Sequence, residues 1–149
     1  MRPVTVLLAL LALHCSSGPP APATVDTKND ACAFCRMSVS DVRFAGQLVA
    51  PGEEPKFFDD LGCLRDYLRS AKQLPSGSLA YVADHRSKAW VPAARAVLTK
   101  LAAQATPMGS GVVAHADTAS RDADDDARGG APLSASEFFG PAGLPGARP

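Results

Sequence analysis

The sequence predicts an α+β domain made of two similar small halves, each a strand-strand-helix-strand unit, that share one core. Two observations carry this prediction. Pairs of short β-branched segments joined by turn residues occur twice, and each half also contains a stretch with helical features. The resulting order is hairpin, helix, hairpin, a segment of mixed character, helix and strand, which is typical of α+β packing.

The first half is predicted from strong local patterns. Residues 38–50 and 56–60 are rich in β-branched and aromatic side chains and flank the turn sequence PGEEP, so they form a hairpin. Asp60 then caps a helix over residues 61–74, in which apolar side chains recur at helical spacing. This cap also explains the pair Asp59-Asp60 without acid–base chemistry.

The second half has weaker patterns. Residues 79–85 and 89–94 are predicted as two strands around the turn RSK. Residues 94–117 suit either a helix or strands crossing a sheet, and residues 118–130 suit a short acidic helix that ends at two glycines. Residues 132–139 are predicted as a last strand.

Composition allows one modest domain and argues against two functional classes. Setting the ends aside leaves ~120 residues, a common size for a single domain. Lys+Arg and Asp+Glu are equal at 15 each, so no basic stripe suggests a nucleic-acid partner. The sequence also lacks a Gly-rich phosphate loop, an H-E-x-x-H motif and a nucleophile elbow, and we predict that it is not an enzyme.

The N-terminus has the features of an export signal. The almost entirely apolar run from Val4 to Leu13 is too short to cross a bilayer, which needs ~20 residues, but suits the core of a signal peptide. Cys15 follows in the segment LLALHC, which resembles a lipobox. We therefore predict residues 1–14 as signal peptide and Cys15 as lipidated, and an ordinary secretory cut nearby is the alternative.

The remaining boundaries follow from composition. Residues 15–30 are predicted as a flexible tether, residues 31–140 as one folded domain and residues 141–149 as a disordered tail. A lipid on Cys15 would hold the domain at a periplasmic membrane surface. Ser16 after that cysteine favours the outer membrane if the cell has one.

The cysteines suggest a metal site. Lipidation of Cys15 leaves Cys32, Cys35 and Cys63, an odd number, and an odd thiol is a liability in an oxidising compartment unless something occupies it. Met37 follows in the motif C-x-x-C-x-M and would share a face with Cys35 if the chain were extended. Thioethers are ligands for Cu(I) and very rarely for zinc, so Met37 discriminates between these metals.

Several alternatives remain open from the residues alone. Cys32 and Cys35 could form a disulfide or the catalytic pair of a thiol-disulfide oxidoreductase, although the motif precedes a strand-like run and not a helix. Three cysteines and a histidine could instead hold structural Zn(II) in an interaction domain. Cys63 is expected as a small buried residue in the first turn of the helix, where the helix dipole would favour a thiolate. His85, beside a turn, is expected to be solvated.

Four segments then resemble one family in order and spacing. CAFCRMSVSDVRFAGQLV, KFFDDLGCLRDYL, YVADHRSKAWVPAARAVL and TPMGSGVVAHAD are similar to the NosL family, the copper-chaperone lipoproteins of the nitrous oxide reductase assembly system. The resemblance implies Cu(I) binding in the periplasm and delivery to nitrous oxide reductase or its maturation machinery by ligand exchange. It also implies a fold akin to the core of organomercurial lyase.

The resemblance also implies that residues 31–140 are a metal-binding domain with a defined ligand set. Its sulfurs fall on Cys32, Cys35, Met37 and, in the P-M-G turn, Met108. From the residues alone, Cys63, His115 and His85 are further candidates. Two features depart from the family pattern, His115 where an apolar residue is common and the acidic run at residues 122–126. Whether zinc shares the site, and whether two chains pair around the metal as a homodimer, stay open.

Overall fold

The protein is described by a computed structural model over residues 18–103, 105–140 and 143–146. The predicted signal peptide and Cys15 lie outside these ranges, as does most of the predicted tail. The strands are β1 Gly46–Val49, β2 Lys56–Phe58, β3 Leu79–Ala83, β4 Trp90–Pro92, β5 Val97–Lys100, β6 Val112–His115 and β7 Ala131–Leu133. The helices are α1 Leu61–Ser70, α2 Thr118–Asp122 and α3 Ala135–Phe139.

The two halves have the same topology, which confirms the α+β prediction. In the first half β1 pairs antiparallel with both β2 and β3, and β4 extends the sheet to the order β2-β1-β3-β4. In the second half β5 pairs antiparallel with both β6 and β7, giving the order β6-β5-β7. Each half is therefore strand, strand, helix, strand, with the first strand in the middle.

Helix α1 forms where the sequence predicts it. The side chain of Asp60 accepts a hydrogen bond from the backbone N–H of Gly62, so it caps the helix as expected. Leu61 and Leu64 are buried in the main core, which draws on both sheets. The helix ends at Ser70 and not at residue 74, and the Ser70 hydroxyl donates to the carbonyl of Tyr67, a bond that competes with continued helix.

Besides the end of α1, four predicted elements differ from the structure. The predicted helix 118–130 is only α2 and a separate 3-10 turn at Asp125–Ala127. The predicted strand 38–50 contains a 3-10 turn at Val42–Phe44, capped by Asp41, and only its end is β1. The mixed segment contains β5, after a 3-10 turn at Ala93–Arg95. The predicted last strand divides into β7 and the helix α3, because Ser134 and Glu137 form a capping box that starts a helix there.

The segment predicted as a tether is hydrogen-bonded to the first sheet at Pro20 and Ala23. The backbone of Ala23 exchanges two hydrogen bonds with the buried side chain of Gln47, and the hydroxyl of Tyr81 donates to the carbonyl of Pro20. Gln47 is buried within β1, so this pairing satisfies an amide that would otherwise lack partners. Among the described residues, no helix is long and apolar enough to span a bilayer.

Candidate metal centre

Three cysteines and one aspartate converge at the start of α1. One donor atom from each of Cys32, Cys35, Asp59 and Cys63 lies within 4.8 Å of the donor atoms of the other three. All three cysteines are free thiols. We call these four residues the thiol cluster.

A tight turn aims the first two sulfurs into the cluster. The backbone N–H of Cys32 donates to the carbonyl of Met37 at 2.7 Å, and the N–H of Arg36 donates to the carbonyl of Cys32 at 3.0 Å. Arg36 closes the turn with a φ of 70°, which is uncommon for a residue with a Cβ. The N–H of Cys35 lies 3.5 Å from the sulfur of Cys32, so the two thiols sit side by side.

This turn separates Cys35 from Met37, contrary to the expectation that they share a face. The positive φ at Arg36 breaks the extended geometry on which that expectation depended. The Sγ of Cys35 points inward and donates to the carboxylate of Asp59 at 3.3 Å. The side chain of Met37 is 59% exposed.

Burial makes these thiols reluctant to ionise without a metal. Burial is the main cause that raises the pKa of Cys35 to about 11, with Cys32 and Asp59 adding to it. Burial also raises the pKa of Cys63 well above its usual value, and the neighbouring Cys32 and Asp59 raise it further. The helix dipole therefore does not leave Cys63 as a thiolate, although Cys63 is buried as expected.

Met108 is held beside the cluster by a contact between the two halves. The loop before β6 bends at Gly109 and Gly111, which both have positive φ. The hydroxyl of Thr106 and the N–H of Met108 donate to the same oxygen of Asp60, at 2.6 and 2.9 Å. Burial acts to raise the pKa of Asp60, but hydrogen bonds from Ser110, Thr106 and the backbone lower it, so Asp60 stays anionic.

The thioethers themselves face solvent. Within the described part of the chain, the exposed large apolar side chains are Phe34, Met37 and Met108. All three start from backbone that adjoins the thiol cluster, because Phe34 and Met37 belong to the cysteine turn and Met108 is tied to the cap of α1. Two soft donors thus lie on the surface, on backbone that adjoins the thiol cluster.

The two histidines belong to a second group of residues. The Nδ1 of His85 lies 2.7 Å and the Nε2 of His115 lies 2.8 Å from the same carboxylate oxygen of Asp124. We call these three residues the histidine cluster. It contains none of the cysteines. His85 is 2% exposed, which overturns the expectation of a solvated side chain, because the end of β3 packs against the end of β6.

The thiol cluster suits a soft metal ion. Thiolates favour Cu(I) and also bind zinc, whereas the carboxylate of Asp59 is a harder donor that zinc accepts more readily. A cation among the sulfurs would favour their ionised form and offset the effect of burial on their pKa values. The arrangement can therefore bind one metal ion and release protons as it does so.

Sequence reasoning missed two aspartates. Asp59 was explained with its neighbour as part of a helix cap, yet only Asp60 caps, and Asp59 faces the thiols. Asp59 lies before the cap, outside the helix, so no helical spacing relates it to Cys63. Asp124 belongs to the acidic run at residues 122–126, within the predicted short acidic helix, and nothing local distinguishes it from the carboxylates around it.

Comparisons with known proteins agree with this fold. The profile of the NosL family matches residues 22–138. A crystal structure of the copper chaperone NosL from Shewanella denitrificans aligns with a TM-score of 0.62 and 20% identity, covering 83% of this chain and 99% of that one. No curated protein sequence matches the chain. At this identity the structural likeness establishes the fold, and the profile match establishes the relationship: the chain belongs to the NosL family.

Proposed function

We propose that the protein is a copper carrier that binds Cu(I) at the thiol cluster and passes it to a partner protein. The observation that supports this most is the convergence of three free thiols, from Cys32, Cys35 and Cys63, beside two exposed thioethers. Thiolate with thioether is the donor combination that selects Cu(I). The related structure from Shewanella denitrificans is described as a copper chaperone, which agrees with this role.

Transfer would proceed by ligand exchange and not by catalysis. Cys32 and Cys63 are buried, whereas Cys35 is only partly buried and Met37 and Met108 are on the surface. An incoming ligand on a partner can therefore approach from the side of the methionines while the buried sulfurs still hold the metal. In this proposal the methionines turn inward to bind the ion and outward to release it.

Location and partner complete the proposal. A lipid on Cys15 would keep the carrier at a periplasmic membrane surface and raise its effective concentration near membrane-bound partners. The partner is nitrous oxide reductase or its copper-maturation machinery, as the family resemblance implies. The exposed apolar side chains of Phe34, Met37 and Met108 also suit pairing of two chains around the ion, which sedimentation with and without copper would detect.

A zinc-binding function has one observation in its favour, the carboxylate of Asp59 inside the cluster. A thiol-disulfide oxidoreductase has less support, because a reactive cysteine needs a lowered pKa and that of Cys35 is raised to about 11. Zinc is therefore the competing metal in the test below.

The test is an anaerobic titration of the reduced domain with Cu(I) and with Zn(II). We expect tight Cu(I) binding that weakens in Met37→Ala and Met108→Ala. Phe34→Ala is the matched control, because its side chain is 44% exposed on the same surface but offers no donor atom. A preference for zinc, with both methionine variants indistinguishable from the control, would contradict the proposal.

A further inference from the structure

The histidine cluster occupies the place in the second half that the thiol cluster occupies in the first. Phe58, the last residue of β2, pairs with the first residue of β1, and His115, the last residue of β6, pairs with the first residue of β5. In both halves the chain then runs through an aspartate cap into a helix, from Asp60 or Asp117. The same strand-to-helix junction thus carries a group of metal-type donors in each half.

Three elements bring the histidine cluster together. His115 ends β6, and the N–H of His85 donates to the carbonyl of Ala114 at 2.8 Å, which fixes the chain after β3 beside it. Asp124 follows α2, where its other oxygen caps the 3-10 turn Asp125–Ala127. The donor atoms are therefore positioned by regular structure and a capped turn.

The geometry is close to that of a metal site. Both imidazole nitrogens face one carboxylate oxygen at 2.7 and 2.8 Å, and the three donor atoms all lie within 4.8 Å of one another. Neighbouring ligands of a tetrahedral ion with bonds of ~2.0 Å lie about 3.3 Å apart. The cluster would have to open by only about half an ångström to hold such an ion.

Charge also favours a cation at this place. Asp124 and the adjacent Asp84 are both buried, and among the described residues neither has an ion pair with a lysine or arginine. Asp124 lies against both imidazoles, and Asp84 accepts hydrogen bonds from the backbone N–H groups of Ser87 and Ala116 and from the hydroxyl of Ser120. A divalent cation would be attracted to this pair of buried carboxyl groups.

The imidazole rings can act as ligands once their protons move to the far nitrogens. In the metal-free cluster the near nitrogens, Nδ1 of His85 and Nε2 of His115, donate their N–H groups to Asp124. A metal would take the place of these two protons as each ring shifts its proton to its far nitrogen, which has no competing hydrogen-bond partner among the described residues. A nitrogen and carboxylate donor set without sulfur suits zinc and not Cu(I).

We propose that His85, His115 and Asp124 form a second metal site that binds a zinc-class divalent ion, with the fourth position left to water. This site is distinct from the thiol cluster. Ser110 lies just before β6 and is hydrogen-bonded within the loop that Asp60 anchors, so it marks the end of β6 nearer the thiol cluster. His115 lies at the opposite end of β6, up to ~16 Å from Ser110 along an extended strand.

The test follows the histidine rings themselves. The ¹⁵N-labelled domain is titrated anaerobically with Zn(II) up to two equivalents, and ring-nitrogen shifts are read from long-range ¹H–¹⁵N correlation spectra. We expect the shifts of Nδ1 of His85 and Nε2 of His115 to move to metal-bound values. Asp124→Asn should weaken this binding at least tenfold, and Asp125→Asn, which removes the same charge from an exposed neighbour, should leave it unchanged.

Ring signals that stay unchanged while zinc binds the thiols or remains free would overturn the proposal. The wild-type spectra decide the question even if Asp124→Asn fails to fold. The readout is also independent of the copper proposal, because Cu(I) binding at the thiol cluster is measured separately, and either site can fail without the other.

Discussion

Copper binding should be coupled to proton release, and the thiol cluster sets the size of the effect. Burial raises the pKa of Cys35 to about 11 and that of Cys63 well above its usual value, so both thiols are protonated near neutral pH in the copper-free protein. Each must lose its proton to bind the metal. At pH values below the pKa of a thiol, each proton that copper displaces raises the apparent Cu(I) affinity about tenfold for every unit that the pH rises. Two such thiols therefore raise the apparent Cu(I) affinity about 100-fold per pH unit.

The assay is an anaerobic competition between the protein and a chromophoric Cu(I) chelator of known pH dependence, between about pH 6 and 9. Proton release per copper, measured with an indicator in weakly buffered solution, should be at least two. Cys35→Ser should reduce the pH dependence of the Cu(I) affinity to that which the remaining thiols produce. An apparent affinity that does not change with pH would refute the reasoning, since it would mean that protonated sulfurs are not the ligands.

Three further predictions concern the aspartates. Asp59→Asn should raise Cu(I) affinity at pH 7 by roughly threefold to tenfold, because it removes a charge that raises the pKa of the nearby thiols. The same substitution should weaken Zn(II) binding, and the same titrations measure both affinities. A loss of Cu(I) affinity would instead make Asp59 a copper ligand. Asp60→Ala should lower the free energy of unfolding in urea by about 2 kcal/mol or more, because it removes a helix cap and the anchor of the Met108 loop. Asp66→Ala, at a half-buried position where the carboxylate pairs only with the neighbouring Arg65, should cost much less, and an equal loss would contradict this role. Because the pKa of Asp124 is lowered in the folded protein, its contribution to stability is complete above the pKa of the unfolded chain, ~3.9, and is lost as pH falls through the pKa of the folded protein. Asp124→Asn should therefore make the free energy of unfolding of the metal-free protein less dependent on pH in the acid range. An unchanged pH dependence would contradict this prediction.

The sequence predicts those parts of the fold that local chemistry determines. Helix α1 combines a capping aspartate, apolar residues at helical spacing and a polar opposite face, and it appears where expected. Strand β5 was ambiguous because its Val, Leu and Thr suit a buried helix as well as a strand. Only the pairing with β6 and β7 decides between them, and that pairing is not local.

The thiol cluster was predictable only in part. The motif at Cys32 and Cys35 is visible in the sequence, but Cys63 joins it because α1 packs its first turn against the cysteine turn. Asp59 and Asp124 became visible only once tertiary contacts were known, since each lies beside other carboxylates with more obvious roles. Helix α3, by contrast, had a local signal in its Ser-x-x-Glu box that the strand prediction overlooked.

The proposed copper site requires sulfur atoms from Cys32, Cys35 and Cys63 to bind one Cu(I) ion together. X-ray absorption at the copper edge of the protein loaded with one equivalent of Cu(I) reports the ligand atoms themselves. We expect scattering from at least two sulfur neighbours, with fewer in Cys35→Ser. A first shell made only of nitrogen and oxygen neighbours would contradict it.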